Sequence, residues 1–237
     1  MLSPRCRGSY LLKVARVELL EQGELYFLYT PRVRPGGALP LTLDDASIRL
    51  RDVQRLYIVL RPTGKVAYRR ILVGRKRMPD PQRRQRFWAE IERVGRSAAA
   101  ILQDLHRFEY DTKTRGRRVQ PGAKAAGEGI YALLRHESHA HFTYRLIDPA
   151  PPGQVQHALG ILPRASYIAA AFNPEAPPRL GRRPPDVAAP PSALREKFGD
   201  NRFAPLDPDL LDVEGLELVL IGTSGTAGQE TGIEPRR

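Results

Sequence analysis

A short strand signature recurs along this chain and constrains its fold more than any other feature. Leu56-Tyr57-Ile58-Val59-Leu60-Arg61 is echoed by Ile130-Tyr131-Ala132-Leu133-Leu134-Arg135. Each run is followed by a polar stretch and then a Tyr-Arg-led apolar run, Tyr68-Arg69-Arg70-Ile71-Leu72 in one case and Tyr144-Arg145-Leu146-Ile147 in the other. Looser relatives open at Gly23 and at Glu214. β-branched and aromatic residues bounded by turn residues read as strands, and two such runs joined by a short polar turn read as a hairpin. The pattern implies two related hairpins with further strands before and after. Convergent strand chemistry gives the same echo, because any buried strand draws on Tyr, Ile, Val and Leu.

The remaining elements follow from local signals. Leu12, Val14 and Val17 alternate over 10–20, and Leu25 to Tyr29 is a buried-strand run. Pro62-Thr63-Gly64 is the turn of the first hairpin. Asp80-Pro81 reads as a helix start, and Phe87, Ile91, Val94, Ala98, Ile101 and Leu105 then follow at helical spacing. This predicts one long amphipathic helix, which Gly95 and Ser97 divide if they act as stop and start. Short helices are expected over 153–159 and 192–198, and strands over 165–172 and 210–221. The predicted class is a β-rich α+β fold with a largely antiparallel sheet, sandwich or barrel.

Three segments are poor in apolar residues. Residues 110–126 carry Lys113, Arg115, Arg117, Arg118 and Lys124 among Gly and Pro, and read as an exposed basic loop between a first half, 1–109, and a second, 127–221. Residues 175–191 read as a Pro-rich arm, and 222–237 as a disordered tail. With 237 residues the two halves form either one domain or two.

The net charge of +12 is concentrated in the first half. Residues 1–125 hold 27 Lys+Arg against 12 Asp+Glu, whereas the remainder holds 11 against 14. Such asymmetry points to an anionic partner, nucleic acid first and an acidic protein second. Arginine outnumbers lysine 32 to 6, which a GC-rich genome would also produce. The candidate nucleic-acid residues are Arg69, Arg70, Arg75, Lys76, Arg77, Arg83 and Arg86, with Lys113, Arg115, Arg117 and Arg118 in the basic loop. Guanidinium groups bind phosphate as a fork and stack on bases, and Trp88 lies nearby as a stacking ring. There is no RNP-type aromatic string, KH-type glycine loop or zinc-finger spacing.

His136, His139 and His141 supply the only cluster of metal-ligand type, a half-site for zinc or another divalent cation. The simpler account is that these polar residues mark a hairpin turn which the histidines flank, because the equivalent Pro62-Thr63-Gly64-Lys65 segment of the first half holds no such ligands. Cys6, the single cysteine, sits between Arg5 and Arg7 and excludes an internal disulfide, which favours a reducing, cytoplasmic setting. No apolar run approaches the roughly 20 residues of a membrane helix. The Gly222 to Thr226 run lacks the Gly-Lys-Ser/Thr ending of a phosphate loop, and nothing pairs a nucleophile with a base. The expectation is therefore a non-catalytic nucleic-acid binder, RNA favoured, without a resident cofactor. A metal-dependent enzyme or metal-binding protein at the histidines, and a protein–protein adaptor, are the alternatives.

Overall fold

The computed structural model describes residues 17–33, 48–114, 116–177, 192–223 and 235. Cys6, Arg115, and most of the Pro-rich arm and C-terminal tail lie outside the described residues.

Eight antiparallel strands close into a barrel. β1 (Val17–Pro31), β2 (Val53–Pro62), β3 (Tyr68–Val73) and β4 (Arg86–Gly95) form a four-stranded meander. β7 (Lys124–His136), β8 (His139–Asp148) and β9 (Arg164–Phe172) form a second, three-stranded one. Between the two in sequence, β5 (Phe108–Thr112) and β6 (Gly116–Gln120) pair, among the described residues, only with each other, as a ribbon outside the barrel. The meanders meet at two seams. β1 lies between β2 and β7, and β11 (Glu217–Gly222) lies between β4 and β9. A short β10 (Phe203–Pro205) adds to the outer side of β9.

Strand alternation fills the interior. Leu25, Phe27 and Tyr29 from β1, Leu56, Ile58 and Leu60 from β2, and Tyr131 and Leu133 from β7 share one core with Phe142, Tyr144, Tyr167 and Leu220. The rings of Phe27 and Tyr144 meet edge-on at 5.2 Å. Full burial of such side chains is worth about 2 kcal/mol each, so the inward face of every strand is the main stabilising surface. Three short helices, α1 (Ala98–Leu102), α2 (Gln154–Leu159) and α3 (Ser192–Phe198), pack around the barrel. Val155 and Leu159 of α2 with Met78 close one end, and Leu210, Leu211 and Leu216 close the other.

Both echoed hairpins exist, but the echo is out of phase with the barrel. Leu56, Ile58 and Leu60 face inward on β2, whereas the inward residues of β7 are Tyr131 and Leu133. The aligned tyrosines thus point to opposite faces: Tyr131 into the core, Tyr57 outward beneath the Arg70 guanidinium. The return strands behave the same way, with Tyr144 inside and Tyr68 outside. A one-residue offset exchanges the two faces of a strand, so the resemblance reflects shared strand chemistry rather than shared placement.

The long helix expected from Asp80 to Leu105 is replaced by a turn, a strand and a five-residue helix. Phe87 and Ile91 fit helical spacing, yet with Ala89 they also alternate, and β4 buries those three while its other positions stay partly or fully exposed. Pairing with β3 on one side and β11 on the other decides the outcome. Asp80 uses its carboxylate on an Asx turn, accepting from Gln82 N at 3.0 Å, and so starts no helix. Ser97 does act as a start, its Oγ accepting from Ala100 N at 3.2 Å to cap α1. Residues 110–126, expected as a loop, contain most of the exposed β5–β6 ribbon. The expected strand over 210–221 begins only at Glu217, after a 3-10 turn at Leu210–Asp212.

Gly23 marks the closest approach of β1 to the end of β2. A methyl group there would lie 2.1 Å from Arg61 O and 2.7 Å from Pro62 Cα. Gly23→Ala is expected to cost about 2 kcal/mol in urea unfolding, as overpacking does. An unchanged midpoint would show that the two backbones part readily.

Candidate nucleic-acid interface

The arginines sort into two groups by what surrounds them. Arg69 and Arg70, both candidate phosphate ligands on sequence grounds, are 0% exposed and serve the fold instead. Adjacent residues of a strand face opposite ways, so the pair splits. Arg69 enters the barrel, where its Nη1 lies 2.5 Å from Glu21 Oε1 and its Nε 2.6 Å from Asp212 Oδ1. Its Nη2 donates to Pro208 O at 3.2 Å. Tyr131 also donates to Glu21 Oε1, at 2.7 Å. One guanidinium therefore ties β3 to β1 and to the turn that closes that end.

Burial works against the Arg69 charge, but the hydrogen bonds to Asp212 and Glu21 more than offset it and hold its pKa above the ordinary arginine value. Burial, with the Glu21 charge beside it, pushes the Tyr131 hydroxyl well above the usual phenol range.

Arg70 points outward under α1. Its Nη1 and Nη2 engage both oxygens of Asp104 at 2.6 and 2.8 Å, and Nη1 also donates to Ile101 O. Its Nε lies 2.9 Å from Glu92 Oε2, and its guanidinium carbon lies 5.4 Å from the Tyr57 ring centre. Arginines inside an otherwise apolar strand run are a sequence signal for such burial, because only a paired charge is tolerated there.

The second group surrounds the β3–β4 connection and remains in solvent. Arg75, Arg83, Arg84 and Arg86 are exposed. Arg75 lies 5.6 Å from the Phe87 ring centre, and Arg83 sits 3.5 Å from Asp80. Lys76 and Arg77 are held locally, Lys76 Nζ donating to Val53 O at 3.0 Å and Arg77 Nη2 to Gln85 Oε1 at 3.1 Å. With the described residues, Arg75, Arg84 and Arg86 form no ion pair.

Arg84 adjoins Arg83 in the arginine-rich run. It has φ 48°, an uncommon conformation for a side-chain-bearing residue. It lines an open cleft of about 570 Å³ with His136, Glu137, His139, His141, Ile168 and Ile221. The arginine strap and the histidine cluster, fifty residues apart in sequence, thus meet on one outer face of the barrel.

His136 and His139 are cross-strand partners beside the hairpin turn, and the His136 and His141 rings meet at 5.9 Å. His139 Nδ1 is 3.1 Å from Ser138 Oγ. Among the described residues, no group of three or more His, Cys, Asp or Glu is arranged to hold a metal ion.

In the ribbon, Lys113 and Arg117 are exposed and Arg118 is half-buried. Arg117 and Arg107 both pair with Glu109. Trp88 is half-buried against Phe172 and Phe203, at 5.9 and 6.1 Å between ring centres. A separate hollow of about 540 Å³ between β1, β7 and α2 is lined by Glu128 and Asp148, whose carboxylates disfavour an anion. No helix among the described residues is long and apolar enough to cross a membrane. Comparison with protein families, curated proteins and solved structures finds no match to this chain.

Removing one partner of a buried pair leaves the other charged and unsatisfied. Arg69→Met is expected to destabilise the barrel by about 3–5 kcal/mol in chemical unfolding, with Glu21→Gln on the same chain recovering much of it. Simple additivity of the two changes would show that they do not interact. Asp104 titrates below its ordinary value because Arg70 donates to it, against the opposing effect of burial. Its pairing contributes stability above pH ~4 that is lost as pH falls through the depressed value, so the gap between wild type and Asp104→Asn should close in acid. A gap that persists at pH 2 would contradict the pairing.

Proposed function

We propose that this protein binds a nucleic acid, or a polyanion of similar charge density, through the basic face made by the β3–β4 connection and the β5–β6 ribbon. The observation that carries the reading is the division among the arginines. Those needed for the fold are buried and paired, whereas Arg75, Arg84 and Arg86 stay exposed without an acidic partner among the described residues. Apart from Arg75 lying over the Phe87 ring, no ion pair with the described residues occupies them, and a phosphate backbone is the ligand that uses unpaired guanidinium groups best. Lys113 adds a further exposed cation, as do Arg83 beside Asp80 and Arg117 beside Glu109, while Lys76 and Arg77 lie half-buried in the β3–β4 connection. Binding of this kind neutralises phosphates without reading many bases and requires no cofactor.

A specific observation favours a second reading. All three histidines line the cleft that Arg84 borders, so a divalent cation held by His136 and His141 would sit beside the basic face. Heat release on zinc titration that is abolished by His136→Ala would support it.

The first reading is tested by anisotropy of a labelled 20-nucleotide RNA. If about four phosphates are neutralised, affinity should fall about 50-fold between 50 and 200 mM salt. Arg75→Glu with Arg84→Glu and Arg86→Glu should weaken binding further and flatten the salt slope. Salt-independent binding, or poly-glutamate competing as well as RNA, would overturn it, the latter in favour of an acidic protein partner.

A further inference from the structure

The β5–β6 ribbon carries a feature that its own stability does not explain. Phe108 and Tyr110 are 50% and 38% exposed, the most exposed aromatic side chains among the described residues apart from Phe203 at 40%. They occupy alternate positions of β5 and so share a face, with ring centres 5.7 Å apart and planes tilted by 39°. Aromatic residues stabilise a ribbon when they meet apolar partners across it. Here the cross-strand partner of Phe108 is Gln120, and that of Tyr110 is Arg118. The other face is satisfied separately, with Glu109 pairing to Arg107 and Arg117. The aromatic face thus offers two open rings with a guanidinium beside them, and Arg118 makes no ion pair with the described residues.

The ribbon is joined to the arginine strap by a short series of contacts. Gln120 Nε2 donates to Pro31 O at 3.3 Å, Pro31 is the strand partner of Val53, and Val53 O accepts from Lys76. The aromatic pair therefore begins at the same end of the barrel as the exposed arginines.

We infer that Phe108 and Tyr110 form a base-stacking platform, and that the ligand of the basic face is single-stranded nucleic acid. The inference rests on the polyanion reading above and narrows it. A duplex hides the faces of its bases within the stack, whereas a single strand presents them, and every base has a π-face that an aromatic ring can cover. Arg118 and Lys113 are placed to take the phosphates that flank stacked bases, which matches the charge that such a strand would carry.

The test uses the full-length chain with labelled oligo(U), oligo(dT), a duplex of equal length, and heparin, a polyanion without bases. Phe108→Ala and Tyr110→Ala should each weaken oligo(U) and oligo(dT) binding about ten-fold. Heparin affinity should stay unchanged, and the wild type should prefer single strands to duplex. Phe108→Leu with Tyr110→Leu keeps apolar bulk without a ring and should not restore binding. Because the ribbon pairs with no barrel strand, thermal unfolding of these variants should match the wild type. Oligonucleotide binding that ignores the substitutions, or falls in parallel with heparin binding, overturns the platform while leaving the polyanion reading standing. A wild type that binds neither heparin nor oligonucleotide overturns both.

Discussion

Closure of the sheet is the constraint on which the rest of this molecule depends. A meander of four strands and another of three each leave unpaired backbone groups along two edges, a costly and aggregation-prone arrangement. β1 joins one pair of edges and β11 the other, so both meanders are satisfied only when both seams have formed. Once the barrel is closed, its inward-facing apolar side chains pack in register because each strand fixes the next.

Closure also creates the molecule's main electrostatic difficulty, because it leaves a charge inside. The barrel resolves this by surrounding Arg69 with Glu21, Asp212 and the Pro208 carbonyl, so that the ion network doubles as the fastening of the end turn. Arg70 does the same outside, gathering Asp104, Glu92 and the Ile101 carbonyl to hold α1 against β3. These two residues belong to folding. Those of the strap and ribbon are available to a ligand, and a single net charge for the chain conceals that division.

Strand runs were legible because burial on a strand needs only composition and period. Leu25 to Tyr29, the two echoed hairpins and 165–172 all lie within strands. β4 was not legible, because Phe87 and Ile91 satisfy a period of four as well as a period of two, and only neighbouring strands choose between them. Closure itself left no local signal, since Val17 finds His136 across more than a hundred residues. The basic face was visible as a run of arginines, but its membership was not. Whether Arg69 is a ligand or a tie rod depends on Glu21 and Asp212, which are remote in sequence. The meeting of Arg84 with the histidines is hidden for the same reason.

β11 is late in the sequence yet lies between two earlier strands, β4 and β9. During vectorial synthesis the first meander is complete once β4 has emerged, and the second once β9 has, yet the gap between them is filled by residues 217–222. Until that strand arrives, β4 and β9 stand open, with Phe87, Ala89 and Ile91 on one lip and Tyr167 and Ala169 on the other. The nascent barrel is a clasp whose pin comes last, and ribosome stalling after β9 has emerged but before residue 217 would leave a nearly finished sheet with two adhesive borders.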